Sequence, residues 1–113
     1  MKRGTAAERR AVWHYRLRGY RIVAQNAWAG GYELDVVARR GRRLVFCEVK
    51  EKGGERFGDP LEMVGPEKQR RIQRAAEAWL AEHPELGGLV CSFEVVAVRG
   101  GKLERVRDAF SAS

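Results

Sequence analysis

From Glu33 to Lys50 the chain carries a period-two pattern: Glu33-Leu34-Asp35-Val36-Val37-Ala38, then Arg39-Arg40-Gly41-Arg42-Arg43, then Leu44-Val45-Phe46-Cys47-Glu48-Val49-Lys50. Successive side chains of a strand point to opposite faces, so the pattern predicts a β-hairpin. A two-residue loop at Gly41-Arg42, with glycine first as a type II′ turn prefers, pairs Arg40 with Arg43. Counting outward then sets Asp35 opposite Glu48 and Glu33 opposite Lys50. A four-residue loop from Arg40 to Arg43 keeps this register, and an odd-length loop slips it by one. Leu34, Val36 and Ala38 fall on one face with Val45, Cys47 and Val49. The other face carries Glu33, Asp35, Glu48 and Lys50, passing into Val37, Phe46 and Leu44 toward the turn.

The remaining elements follow from caps and spacing. Thr5-Ala6-Ala7-Glu8 has the form of a capping box, with Ala11, Val12, Tyr15 and Leu17 behind it at roughly helical spacing, so a helix is expected from Ala6 to Arg18, closed by Gly19. Tyr20 to Ala24 reads as a strand and Asn26 to Gly31 as an irregular, glycine-bearing stretch. Glu51 to Gly65 is charged, glycine-punctuated and too long for a tight turn, as functional or mobile loops are. Pro66 opens a second helix with Gly65 as its N-cap and an apolar stripe of Ile72, Ala75, Ala76, Trp79 and Leu80, ending near His83-Pro84. Leu89 to Val98 is a strand, Gly100-Gly101 turns it, Leu103 to Val106 is a short partner, and Ser111-Ala112-Ser113 a frayed end. The order αβββαβ predicts an α/β fold, a mixed sheet flanked by helices, with a right-handed crossover through the second helix. At 113 residues one domain over 1–113 is expected.

The chemistry enters with the paired acids. Two carboxylates opposed across strands repel by a few tenths to about 1 kcal/mol, an arrangement that calls for a cation. Lys50 supplies one positive charge, and a divalent metal would supply the rest. The competing reading is a surface ion-pair network on an exposed sheet face. Glu33 is either a further acid or the cross-strand partner of Lys50, the second reading being favoured.

Net charge adds a partner. The formal charge of +7 and isoelectric point near 10.0 suit a polyanion. Apart from Lys2, Lys50, Lys52, Lys68 and Lys102 the basic residues are all arginine, an excess that a GC-rich genome or a thermophilic source would also produce. Arg70, Arg71 and Arg74 form a solvated helix face or, with Lys68, track a phosphate backbone. Trp13, Trp28 and Trp79 are expected in the core, with Trp28 the best exception as a base-stacking platform. No apolar run approaches the roughly 20 residues that span a bilayer, and the charged N-terminus does not read as a signal peptide, so a cytoplasmic location is expected. Cys47 and Cys91 lack zinc-site spacing and are expected as small buried hydrophobes. His14 and His83 stand apart from each other, and His83 suits a helix end.

Asp35 on the second strand and Glu48-Val49-Lys50 on the third, in an αβββαβ order, resemble the PD-(D/E)xK nucleases with their restriction-endonuclease-like fold. More narrowly, the chain is similar to the YraN family of small bacterial proteins, related to the archaeal Holliday-junction resolvases. The matching stretches are Gly19-Tyr20 through Asn26, Glu33-Leu34-Asp35, Leu44-Val45-Phe46 with Glu48-Val49-Lys50, Phe57-Gly58, and Lys68 with the alanine-rich helix. The resemblance implies a Mg²⁺-dependent (or Mn²⁺-dependent) endonuclease on DNA, with branched or junction DNA as substrate and a homodimer to make two cuts. It implies Asp35, Glu48 and the Val49 carbonyl as metal ligands, and Glu8 as an acid completing the catalytic set. Lys50 would orient or deprotonate water or stabilise phosphate charge, the last being favoured because nearby carboxylates tend to keep a lysine charged. Lys68, with Lys52, Arg70, Arg71 and Arg74, would contact the phosphates. Glu8 serves equally as the capping-box acid. Tyr32 stands where the family usually has glycine, and Glu51-Lys52 where Thr-Arg commonly follows. The alternative function is a non-catalytic nucleic-acid-binding or adaptor module on the same fold.

Overall fold

The computed structural model describes residues 4–51 and 64–110. Its elements are α1 (Ala6–Arg16), β1 (Arg21–Ala29), β2 (Tyr32–Arg40), β3 (Arg43–Glu51), α2 (Pro66–Ala81), β4 (Val90–Arg99) and β5 (Lys102–Phe110), with a 3₁₀ turn at Pro84–Leu86. The strands lie in the order β1-β2-β3-β4-β5. All neighbours are antiparallel except β3 and β4, which run parallel and are joined through α2. This mixed sheet flanked by helices is the expected α/β architecture, consistent with a restriction-endonuclease-like core. Lys52, Phe57-Gly58, most of the expected loop and Ser111-Ala112-Ser113 lie outside the described residues.

The hairpin has the register its turn dictates. Arg40 pairs with Arg43 and Val36 with Cys47. Gly41 takes φ +60 while Arg42 stays out of the left-handed region, as a type II′ turn requires. β1 corrects the expectation of an irregular stretch: it pairs with β2 as far as Ala29↔Tyr32. The irregularity is absorbed inside the strand, by a bulge between Ile22 and Ala24 and by Asn26 at φ +49, which edge strands accommodate. β5 is also longer than its apolar run implied. Lys102, Glu104, Arg107 and Asp108 are exposed along this edge strand, Arg105 turns inward, and Phe110 is held by stacking on Phe93 at 4.9 Å between centroids.

Each helix covers one face of the sheet. The α2 stripe, Ile72, Ala75, Ala76 and Trp79, buries against Val37, Leu44, Phe46, Phe93 and Val95. Trp79 meets Phe46 edge-on at 5.9 Å, and Phe46 stacks on Phe93 at 5.6 Å. α1 packs Ala7, Ala11, Val12 and Tyr15 over Val36, Ala38, Val45 and Cys47. Cys47 is the buried free thiol expected, whereas Cys91 is half-buried. Trp13 and Trp28 are not core: they are 58% and 71% exposed. Trp13 lies outside the α1 face that Val12 and Tyr15 bury, and Arg16 sits over its ring at 5.6 Å. Gly30, at φ +57 in the β1–β2 turn, lies so close to α2 that a Cβ there would come 3.0 Å from the Arg74 carbonyl oxygen.

A buried ionic knot ties α1 to β4 and β5. Glu94 is fully buried. It accepts from the Tyr15 hydroxyl at 2.6 Å and from two nitrogens of Arg105 at 2.7 and 3.1 Å. Arg105 also donates to the Tyr20 hydroxyl at 3.2 Å and lies over the Tyr15 ring at 4.8 Å. Removing one member leaves the other charge unpaired in the interior. Glu94→Ala should therefore cost about 3–5 kcal/mol, a fall in Tm of more than about 10 °C. Replacing Glu94 and Arg105 together by methionine should recover much of that loss in thermal denaturation followed by circular dichroism.

Candidate metal and nucleic-acid site

β3 pairs with β4 along its whole length, Arg43↔Val90 to Glu51↔Val98, but with β2 only as far as Val36↔Cys47. The next two residues in register are Asp35 and Glu48, so the acids counted opposite one another stand where the strands part. Asp35 continues the contact by side chain: its Oδ2 accepts from the Val49 N–H at 2.9 Å. Across this point the alternation slips. Leu34 packs with the α2 layer although Val36, two residues on, packs with the α1 layer, so Leu34 does not share the face of Val36 and Ala38 as expected. Nor does the ladder bring Glu33 opposite Lys50, because it ends first; Glu33 pairs in register with Trp28 of β1.

Glu48 points to the α2 side and is only 6% exposed. Its Oε2 receives Lys68 Nζ at 2.9 Å from the first turn of α2, Lys50 Nζ at 3.6 Å, and the Tyr32 hydroxyl at 3.2 Å. Tyr32, noticed in the sequence only as a departure from glycine, is thus a site residue. Simple alternation puts it opposite to Asp35 in phase, and only the slip brings it onto Glu48. Asn26 is the second residue missed: it donates from Nδ2 to Glu8 Oε1 at 3.3 Å. The one signal for it was its position in a motif stretch.

Asp35 is raised from 3.8 to about 7, chiefly by burial, then by the charge of Glu48, with Glu8 adding to it; the Val49 N–H opposes the shift. Lys50 is lowered, by burial and by the Lys68 ammonium. The carboxylates do favour its charged form as expected, but they are outweighed. Burial works against the charge on Lys68 too, yet its contacts with Lys50 and Glu48 prevail and raise its pKa. Tyr32 is pushed up to about 12 by burial and by Glu48. Asp35 is thus held toward its neutral form mainly by burial, with the neighbouring acids adding to it.

Glu8 forms the complete capping box, its Oε1 accepting from the Thr5 N–H at 2.9 Å. It lies near enough to act on Asp35. No group of three His, Cys, Asp or Glu side chains among the described residues is arranged to hold a metal ion. Mg²⁺ commonly takes only one or two carboxylates, completing its shell with water and phosphate. Asp35 and Glu48 meet that requirement. The Val49 carbonyl leaves its strand on the same edge as the N–H bound to Asp35, the geometry of ladder bonding. Beside Glu48 lies a hollow of about 500 Å³ lined by Tyr32, Gly65, Pro66, Glu67, Lys68 and Arg71. Arg71 is held there by Glu67 at 2.8 Å, while Arg70 and Arg74 are exposed on α2. Of the described residues expected to contact the phosphates (Lys68, Arg70, Arg71 and Arg74), Lys68 is the one that touches the acidic centre.

Residues 7–98 match the model of the uncharacterised protein family UPF0102. The chain belongs to that family. A UPF0102 protein of Acidothermus cellulolyticus is 40% identical over 121 residues, covering 95% of this chain and 92% of the relative. One from Xanthomonas campestris pv. campestris is 42% identical, covering 96% and 91%. A third, from Shewanella amazonensis, is 39% identical, covering 97% and 100%. The UPF0102 match bears out the YraN resemblance drawn from the sequence. No helix among the described residues is long and apolar enough to cross a membrane.

The Asp35 shift has a signed consequence. Below its unfolded pKa of 3.8 the carboxyl is protonated in both states and contributes nothing. As pH rises toward about 7 the folded form holds a proton that the unfolded form has released, so stability falls across this window. Asp35→Asn lacks this loss. In EDTA, its Tm relative to wild type should rise between pH 4 and pH 8, the change in stability difference being about 2–4 kcal/mol. A difference that stays flat with pH would contradict the burial of Asp35 beside Glu48.

Proposed function

We propose that this chain is a Mg²⁺-dependent endonuclease hydrolysing DNA phosphodiester bonds, with branched or junction DNA as substrate. The observation that carries the reading is the meeting of Asp35 and Glu48 at the parting of β2 and β3, with Lys50 and Lys68 within 3.6 and 2.9 Å of Glu48. Asp35, Glu48 and the Val49 carbonyl would hold the ion. When bound, Mg²⁺ polarises a phosphoryl oxygen and lowers the pKa of a water. Lys68, resting on Glu48, passes to a substrate phosphate. Lys50 stabilises the negative charge that develops in the transition state. Sharing the negative charge of Asp35 and Glu48 with a cation relieves the repulsion that, after burial, adds most to the rise of Asp35. Two such sites in a homodimer suit paired cuts on a symmetric junction.

One observation favours a second reading, a non-catalytic nucleic-acid-binding or adaptor module. Glu48 Oε2 is already engaged by Lys68, Lys50 and Tyr32, so its charge is neutralised from within.

Linear duplex, single-stranded and four-way-junction DNA, each incubated with Mg²⁺ or Mn²⁺, separate the two. The nuclease reading expects cleavage of at least one substrate and a loss of about 10²-fold or more in Asp35→Ala and Lys50→Ala. It also expects Mg²⁺ to raise the Tm of the wild type but not of the Asp35→Ala/Glu48→Ala double variant. DNA binding with no cleavage sensitive to these changes selects the adaptor module.

A further inference from the structure

The β2–β3 turn concentrates far more positive charge than a turn requires. Arg39, Arg40, Arg42 and Arg43 surround Gly41, and no acid lies between Asp35 and Glu48. The register forces like charges together: Arg21 of β1 is opposite Arg39, and Arg40 is opposite Arg43. Directly opposed like charges destabilise a sheet. Among the described residues none of these five arginines makes an ion pair.

Backbone carbonyls position three of them instead, and Arg43 Nη1 donates to Ser92 Oγ at 3.5 Å. Arg39 Nε donates to the Gly41 carbonyl at 3.0 Å, Arg40 Nη1 to the Arg18 carbonyl at 2.9 Å, and Arg42 Nη2 to the Gly88 carbonyl at 3.4 Å. Arg40 also lies over the Tyr20 ring at 4.6 Å. A guanidinium has five N–H donors, so each bond fixes a side chain and leaves most of its donors unspent. Two adjoining hollows result, both bordered by Arg40. One of about 520 Å³ is lined by Gly19, Arg21, Arg39, Arg40 and Gly41. The other, of about 350 Å³, is lined by Arg40, Arg42, Arg43 and Val90.

We infer that this arginine-lined end of the sheet is a second binding site, for the phosphodiester backbone of nucleic acid, separate from the carboxylate centre. A planar guanidinium matches phosphate geometry in paired hydrogen bonds, which a lysine does not. By strand alternation Arg21 and Arg39 fall on one face and Arg40 and Arg43 on the other, and the two pairs meet at the turn end of the sheet, where Arg40 borders both hollows. Arg40 lies roughly 17 Å from Asp35 along β2 at ordinary strand rise, about five base pairs of duplex. The choice of nucleic acid over other polyanions rests on the proposed function.

The test measures binding of the whole chain to a fluorescent DNA duplex, and to the RNA duplex of the same sequence, in EDTA across a salt series. Arg21→Gln/Arg39→Gln should weaken binding about tenfold or more and reduce the slope of log K against log salt by about 2. Arg21→Lys/Arg39→Lys should keep the slope and lose part of the affinity. Because the glutamine pair relieves repulsion, its Tm should equal or exceed that of the wild type. Arg42→Gln/Arg43→Gln provides an independent second pair, with the same expected slope change. Unchanged slopes in both glutamine pairs overturn the site, as does equal loss in the lysine and glutamine variants. Binding to anionic phospholipid vesicles but to neither duplex also overturns it. Arginine-dependent binding without any cleavage removes the nuclease reading and leaves this site standing. Cleavage with unchanged salt slopes does the reverse.

Discussion

One hydrogen bond organises the functional end of this molecule: the Val49 N–H donates to Asp35 Oδ2 at 2.9 Å. β3 is held by β4 to its last residue, but β2 leaves it after Cys47. A strand whose neighbour departs still presents a backbone donor that needs an acceptor. Asp35 meets that need with a carboxylate and is thereby drawn out of water to the side of Glu48. The N–H favours its charged form, but burial and the neighbouring acid win. Tyr32, Lys50 and Lys68 then gather on Glu48. The same departure of β2 shifts Leu34 across the sheet.

Two buried glutamates on adjacent strands show how differently such a charge can be treated. Glu94 is closed from water and gripped through both oxygens by Arg105, with the Tyr15 hydroxyl completing the set. Its partners are a planar fork and an aromatic ring held in the core, so the arrangement has little freedom to change. Glu48 is nearly as deep, yet its counter-charges are two lysines, each about a quarter exposed, converging on one oxygen. An ammonium on a flexible stem is a point charge that can turn elsewhere. The first arrangement holds helix to sheet, whereas the second keeps charge in reserve.

The register was legible because a two-residue turn beginning with glycine admits one count, and Arg40↔Arg43 carries that count back to Asp35 and Glu48. The capping box and the α2 stripe were legible because each is local. What escaped depended on packing. Lys68 comes within 2.9 Å of Glu48 only because of how α2 crosses the sheet. Leu34 was assigned by strict alternation, which fails at the parting of the strands, and the same failure hid the contact of Tyr32 with Glu48. Glu94 and Tyr15 are separated by 79 positions, and nothing near either one announces the bond. Trp13 was expected inside by residue type, but Val12 and Tyr15 already fill the face that α1 offers, while Trp28, the exception the sequence allowed, is exposed on β1.

At Gly30 the β1–β2 turn rests almost directly on the helix: a Cβ there would meet the Arg74 carbonyl oxygen at 3.0 Å, Ala75 Cα at 3.1 Å and the Ala78 methyl at 3.2 Å. Backbone lies against backbone with no flexible side chain between them to take up slack. The seat of α2 is therefore set to tenths of an ångström, where an interface of leucines would leave room for a rotamer to give. Lys68 rides on that same helix, two turns nearer its start. The reach of its ammonium to Glu48 is consequently gauged from a glycine on another hairpin, and a single methyl there would act as a shim beneath the site.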